Sequence, residues 1–344
     1  MINSNTTQKI EYISFLQSFA VVLVVLGHCM PEPNMGDKIP ICLQIIHDTI
    51  YTFHMPLFFV LAGFLLMNSI FRQSKNIQNF YVFVNYKFRR LIIPYFTMGT
   101  LAYLLKGFVF DKFAYKPIQL GLISYIKSLL IPWNNVNTQL WFLPTIFLIF
   151  MLSYLIILFK NNYKNNLFIL LTLAFIVSFL SHFFHISLLN ISGVLYYMFY
   201  FFIGIVIFNI KEMLFKYLSN TGIVIFIVTL FIELQFIPEF RYNSINYIIS
   251  YISAILGILI SFSLATYYCN HNKKFLWGLI DGQYYQVYLL SYFFQSGMRV
   301  FYQMSIINYT TVVFFMFIAS FIFPILITNI IKRFFPMLKV FIGL

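Results

Sequence analysis

The sequence is poor in charged residues, and in acidic residues above all. Only 9% of its 344 residues are charged, and 9 are acidic against 22 basic. A soluble domain carries about 25% charged residues, so the composition excludes a soluble enzyme, a disordered chain and a fibrous repeat. Cysteine is scarce as well. Cys29, Cys42 and Cys269 are too few and too scattered for a disulfide framework or a zinc site, although Cys29 could pair with Cys42.

Long apolar runs are what the sequence has in abundance, since 61% of its residues are hydrophobic. A bilayer core takes about 20 such residues per helix. Ten runs qualify: 13–30, 49–69, 91–110, 140–159, 167–187, 193–210, 221–237, 245–268, 276–297 and 309–331. We therefore predict an all-α, polytopic integral membrane protein with about ten transmembrane helices. Residues 1–344 are expected to form one membrane domain with no appended soluble domain.

The basic residues predict the orientation of these helices. With ten spans, fifteen of the 22 lysine and arginine residues fall on the side that holds both termini, and seven fall on the other, Arg299 among them in an outer loop. Loops rich in lysine and arginine stay in the cytoplasm, so both termini are predicted to be cytoplasmic.

Two polar residues of the first span, Gln17 and His28, are eleven residues apart. Eleven helical steps exceed three full turns by only 20°, so both side chains share one stripe, about 16 Å apart along the axis. A neutral histidine at the outer end could act as a general base near pH 7. Spacing alone favours the simpler alternative, a histidine at the membrane interface that bonds to a loop.

Five segments resemble, in order, motifs of the membrane-bound acyltransferase-3 family: 15–28, 53–64, 86–95, 140–144 and 285–290. Such proteins carry an arginine, ten residues and then a histidine on their first helix. The segments are most similar to bacterial sugar O-acetyltransferases of the fucose 4-O-acetylase type. The resemblance implies an O-acyltransferase in the bacterial cytoplasmic membrane. It would transfer acetyl from cytosolic acetyl-CoA to a hydroxyl of a cell-surface glycan or its lipid-linked precursor.

The same resemblance assigns the donor side of the site. The family histidine falls on His28, which is the expected catalytic residue, and the family arginine falls on Gln17, which brings no positive charge. Lys87 and Arg90 match a basic pair of the family, with Arg89 between them. Arginine pairs bidentately with phosphate, so these residues would bind acetyl-CoA together with Gln17. Their charge is also typical of cytoplasmic anchors.

The acceptor side is expected to use three residues, His54, Trp141 and Tyr288. His54 and Trp141 have a simpler interpretation, because both residue types are common at membrane interfaces, while Tyr288 lies on a helix that is unusually polar for its depth. One carboxylate of the outer loop could orient His28, as in other histidine-dependent sites. The candidates are Glu32, Asp37 and Asp48.

Two other functions remain open from the sequence. The chain could be a flippase or transporter of glycolipid or polysaccharide units, or a family member that has lost activity and acts as a scaffold because of Gln17. The expected partners are membrane lipid and a carbohydrate or lipid-linked sugar acceptor. We expect neither nucleic acid nor a metal ion to bind.

Overall fold

The computed structural model describes residues 3–31, 39–72, 79–110, 120–159, 166–235, 245–271, 278, 280 and 282–344. The elements are α1 (Asn3–His28), α2 (Ile41–Phe71), α3 (Phe80–Lys87), α4 (Ile93–Leu105), α5 (Leu122–Leu130), α6 (Phe142–Phe159), α7 (Leu167–Leu180), α8 (Ile191–Leu218), α9 (Thr221–Gln235), α10 (Ile245–Asn270), α11 (Tyr284–Gln303) and α12 (Tyr309–Phe334). In this part of the chain every regular element is helical. The predicted all-α fold is confirmed.

Seven helical segments of the described residues are long and apolar enough to cross a membrane: Glu11–His28, Ile41–Phe71, Phe80–Phe108, Thr138–Ile156, Leu188–Leu218, Tyr247–Asn270 and Tyr309–Phe334. Leu167–Phe183 and Thr221–Gln235 are apolar but shorter. Together with α11, these segments each overlap one of the ten predicted runs. The multi-pass membrane architecture is thus confirmed, while the count of ten spans and the cytoplasmic termini stay predictions.

Several helix boundaries differ from the predicted runs. The first helix begins at Asn3, the second at Ile41 and the third at Phe80, all earlier than predicted, because a helix can continue beyond the apolar residues that cross the bilayer core. The helix of the ninth predicted run, α11, begins only at Tyr284. Gly282 precedes it with a φ of 73°, a left-handed conformation that a right-handed helix does not continue.

The chain divides into two compact units. The first comprises Met1–Gly27, Pro40–Asn68 and Tyr200–Tyr284, and the second His28–Ile39, Ser69–Phe199 and Tyr285–Leu344. In the first unit, α2 and α8 approach closely through glycine. A Cβ atom at Gly63 would lie 2.0 Å from the carbonyl oxygen of Phe201, and one at Gly204 the same distance from that of Val60. Small residues of this kind let membrane helices pack backbone to backbone.

The second unit is held together by aromatic stacking and by side chains bonded to backbone. Phe83 on α3 stacks on Tyr154 on α6, with ring centroids 4.6 Å apart. The Tyr95 hydroxyl of α4 donates to the carbonyl of Leu129 on α5 at 2.8 Å. The C-terminal 3-10 helix, Pro336–Ile342, packs on α4, where the Thr97 hydroxyl donates to the Phe341 carbonyl at 3.0 Å.

Candidate active site

The predicted donor residues lie at a distorted turn between α3 and α4. Residues Phe88–Ile92 form a π-helix, a wider turn that often marks a functional site. Arg89 and Arg90 on this turn are both exposed, and Arg90 Nη1 donates to the Tyr86 hydroxyl at 2.8 Å. Lys87 is arranged differently, because its Nζ lies 3.5 Å from the centroid of the Phe150 ring in a cation–π contact. The two arginines are therefore the more accessible cations of the cluster.

The C-terminal segment closes around this turn. The Tyr285 hydroxyl donates to the carbonyl of Arg90 at 2.5 Å, and the Arg90 guanidinium lies 5.7 Å from the Tyr285 ring centroid. Gly343 has a φ of 67°, and a Cβ atom there would lie 2.3 Å from Cε1 of Tyr285. Glycine at this position thus lets the C-terminal segment pack directly against the residue that holds Arg90.

Polar side chains continue from Tyr285 along one face of α11. They occur at alternating spacings of three and four residues, which places them on one stripe of the helix. The members of this polar stripe are Tyr285, Tyr288, Tyr292, Gln295 and Arg299. The stripe runs fourteen residues, or about 21 Å at 1.5 Å per residue.

Each middle member of the polar stripe is anchored to the segment before α6. The Tyr288 hydroxyl donates to the carbonyl of Gln139 at 2.6 Å, and the Tyr292 hydroxyl donates to the carbonyl of Val136 at 2.8 Å. Gln139 Nε2 donates to Gln295 Oε1 at 2.8 Å, and both side chains are buried. Buried amides that are paired in this way fix one arrangement of the helices.

His28 lies at the far end of the polar stripe. It is the last residue of α1, and its carbonyl accepts a hydrogen bond from Arg299 Nη2 at 2.9 Å. The next residue, Cys29, accepts a contact of 3.8 Å from Gln295 Nε2. Cys29 is fully buried, and burial disfavours the thiolate that would make it reactive, so His28 is the better candidate base at this end. None of the three cysteines forms a disulfide.

Arg299 was not among the predicted site residues, and it lies inside a helix, although the ninth predicted run ends at 297. It lies in the last turns of α11, because this helix begins and ends later than the apolar run indicates. The three-and-four spacing of polar residues from Tyr285 onward is the signal that could have found it. An apolar run does not reveal this spacing, because each polar residue of the stripe interrupts the run.

Two predicted site residues belong to the first unit. Gln17 is half-buried on α1. His54 was expected to open the second helix, but α2 begins at Ile41, so His54 lies inside the helix and is only 2% exposed. Its Nδ1 donates to the Ile50 carbonyl at 2.8 Å, since a carbonyl can only accept. The proposed contacts of both residues with substrates stay predictions.

Trp141 and Tyr288 belong to the second unit and are nearly buried. Trp141 stacks on Trp133 and on Tyr197, with centroid distances of 5.1 and 5.3 Å. Trp133 is 49% exposed, and its Nε1 donates to Asn190 Oδ1 at 2.9 Å. Trp133, which the sequence analysis did not single out, is therefore the exposed member of this aromatic stack.

The carboxylates considered for His28 are only partly covered. Glu32 and Asp37 lie outside the described residues. Asp48, at the start of α2, accepts a hydrogen bond from His47 Nδ1 at 3.2 Å. Within the described part of the chain, no group of three or more histidine, cysteine or acidic residues could hold a metal ion.

The fold and this arrangement define an all-α, multi-pass membrane protein with a basic turn and a histidine at opposite ends of one polar helix face. The family profile described as an acyltransferase domain matches residues 10–329, so the chain belongs to the acyltransferase-3 family of membrane proteins. Membership makes it a membrane acyltransferase. Neither a curated protein nor a solved structure gives a significant match.

Proposed function

We propose that the protein transfers acetyl from acetyl-CoA to a hydroxyl of a carbohydrate, either a cell-surface glycan or its lipid-linked precursor, in a bacterial cytoplasmic membrane. The observation that carries the proposal is the polar stripe of α11. It begins at Tyr285, which contacts the exposed Arg90, and it ends at Arg299, which donates to the carbonyl of His28. The phosphates of a polyanionic donor need cations, and the acceptor hydroxyl needs a base. The two substrates therefore require separate ends of the site.

Arg89 and Arg90 fit the phosphates of coenzyme A, because both are exposed and the guanidinium group pairs bidentately with phosphate. Lys87 is held on the Phe150 ring and would add positive potential more than a direct contact. The long pantetheine arm of the donor would carry its thioester away from the arginines. Gln17 would contribute a neutral hydrogen bond to the donor in place of the family arginine.

His28 would act as the general base. Its imidazole would take the proton of the acceptor hydroxyl while that oxygen attacks the carbonyl carbon of the thioester. The bond between the carbonyl carbon and sulfur then breaks, an oxygen ester forms, and the coenzyme A thiolate leaves. The proton held by the imidazole neutralises this thiolate and returns His28 to its starting state.

The acceptor is proposed to be a sugar because an aromatic stack offers a flat apolar surface next to polar groups. The exposed ring of Trp133 extends the stack of Trp141, and Asn134 beside it is exposed as well. Tyr288 of the same unit would add a further acceptor contact, and the contact of His54 with the acceptor remains the one proposed from the sequence. Aromatic rings with a polar edge suit ligands that have an apolar face and hydroxyl rims.

The test is an assay of the purified protein in liposomes with radiolabelled acetyl-CoA and a panel of oligosaccharides and lipid-linked sugars. We expect label in a carbohydrate, in a base-labile ester. We expect His28→Ala to transfer far less label than the wild-type protein. Translocation of a lipid-linked sugar without label in any acceptor would instead identify a flippase, and label only from succinyl-CoA would overturn the assignment of acetyl.

A further inference from the structure

Arg299 is a cation in an unusual position. Its side chain is partly buried near the end of α11, and its Nη2 donates to the carbonyl of His28 at 2.9 Å. No carboxylate of the described residues forms an ion pair with it. Its Nε is buried and has no hydrogen-bond partner in the described part of the chain. Among the described residues, the structure shows one hydrogen bond from its guanidinium, to the carbonyl of His28.

That carbonyl belongs to the last residue of a helix. The final carbonyls of a helix lack partners within it and carry partial negative charge, so a cation is stabilising there. Arginine can satisfy such a carbonyl as a side-chain cap. Arg299 thus caps the end of α1 at the backbone carbonyl of His28, the residue that carries the imidazole.

A second contact from the same helix acts on the next residue. Gln295, one turn before Arg299, contacts the Cys29 sulfur through its Nε2, at 3.8 Å. Gln295 is itself held by Gln139 at 2.8 Å. Two neighbouring residues, His28 and Cys29, are therefore attached to two successive turns of α11. One attachment is neutral and the other is charged, and charge-assisted bonds are the stronger kind.

We propose that Arg299 is a positioning residue for acyl transfer, which holds His28 in place through its backbone carbonyl. This inference rests on the proposed function, since it assigns a role within the same site. A base must lie within hydrogen-bond reach of the proton that it takes, and a displacement of about 1 Å can lower a rate by about a hundredfold. Arg299 therefore acts on the rate of the chemical step and not on binding of the donor.

The kinetic test compares Arg299→Gln, Arg299→Lys and a control, Arg333→Gln, in the liposome assay. Arg333 is exposed at the end of α12, so its loss matches the charge change without touching the site. We expect Arg299→Gln to lower kcat by about tenfold to a hundredfold with little change in KM for acetyl-CoA. Arg299→Lys should recover part of kcat, because an ammonium keeps the charge and a donor.

A readout that does not depend on acyl transfer is the reaction of His28 with diethyl pyrocarbonate, followed by mass spectrometry of each histidine. We expect the rate at His28 to change severalfold in Arg299→Gln and to stay unchanged in Arg333→Gln. His271, exposed at the end of α10, is the internal reference and should react alike in all variants.

The outcomes separate this inference from the proposed function. If the wild-type protein transfers no acyl group but the reactivity of His28 still depends on Arg299, the proposed function fails and the positioning role stands. If transfer is normal and Arg299→Gln matches Arg333→Gln in kcat and in His28 reactivity, the positioning role is wrong. A rise in KM for acetyl-CoA alone would also overturn it. If Arg299→Gln does not fold, Arg299→Lys replaces it in both measurements. Unchanged kcat and unchanged His28 reactivity in Arg299→Lys would then overturn the positioning role.

Discussion

The two ends of α11 both bring an arginine and a backbone carbonyl together, but with opposite arrangements. At the first end Tyr285 holds the carbonyl of Arg90, and the arginine side chain stays exposed. At the other end the side chain of Arg299 is partly buried and itself holds the carbonyl of His28. An exposed cation can bind a ligand that comes and goes, whereas a cation bonded to backbone fixes geometry.

The comparison divides the expected consequences of mutation between the two ends. Loss of a residue at the Arg90 end should weaken binding of the acyl donor and raise its KM. Loss of a residue at the His28 end should slow the chemical step and lower kcat. The following variants are chosen to break this division, in order of decreasing effect.

His28→Ala should have the largest effect. Removal of a general base costs about a hundredfold or more in rate. We expect kcat to fall by that amount while KM for acetyl-CoA stays close to the wild-type value, measured by saturation curves with labelled donor. The control is His271→Ala, which removes an exposed histidine whose Nδ1 bonds to the carbonyl of Tyr267, one turn before it. Near-normal transfer by His28→Ala would remove this residue from the mechanism.

Arg89→Ala and Arg90→Ala should act on the donor. Each removes a charged hydrogen-bond partner of a phosphate, worth about 1.5–3 kcal/mol, so KM for acetyl-CoA should rise by about tenfold to a hundredfold. Arg72→Ala is the matched control, since Arg72 is an exposed arginine at the end of α2. An effect confined to kcat would contradict a donor site at this end.

Gln17→Ala should raise KM for acetyl-CoA by less, because a neutral hydrogen bond is worth only about 0.5–1.5 kcal/mol. The KM for the acceptor should stay nearly unchanged, since Gln17 lies about 16 Å along the helix from His28. Gln17→Arg restores the residue of the family pattern. A strong gain of activity in that variant would identify glutamine as a weakening substitution, and an acceptor-only effect of Gln17→Ala would rule out its donor role.

Gly343→Ala should have the smallest effect on activity. The added methyl group would lie 2.3 Å from Cε1 of Tyr285 in a left-handed backbone conformation, so the C-terminal segment must shift away. Such strain costs about 1–2 kcal/mol, and we expect a few-fold rise in KM for acetyl-CoA through Tyr285 and Arg90. Gly297→Ala is the control, because a methyl group there meets nothing within 4 Å. Equal KM values for the two variants would show that the C-terminal segment does not support the donor end.

The candidate site could be predicted from the sequence only where one residue carries the chemistry. His28 and the arginines were assigned through the family motifs that they match, since spacing and charge alone also fit an interfacial histidine and cytoplasmic anchors. Arg299 and Trp133 were not singled out, because neither lies in one of the five matching segments. Arg299 follows the apolar run 276–297, and Trp133 is one aromatic residue among many.

The sequence by itself determined that this protein lies in lipid and that its fold is all-α. Lipid cannot satisfy backbone polar groups, so long apolar runs with few charges must form helices whatever their partners are. Only the tertiary structure decided which polar groups meet. The contacts of α11 with Gln139, with Arg90 and with His28 join residues between 149 and 271 positions apart, and no local pattern encodes such pairings. They depend on how the helices pack, because each buried polar group takes the partner that packing brings within reach.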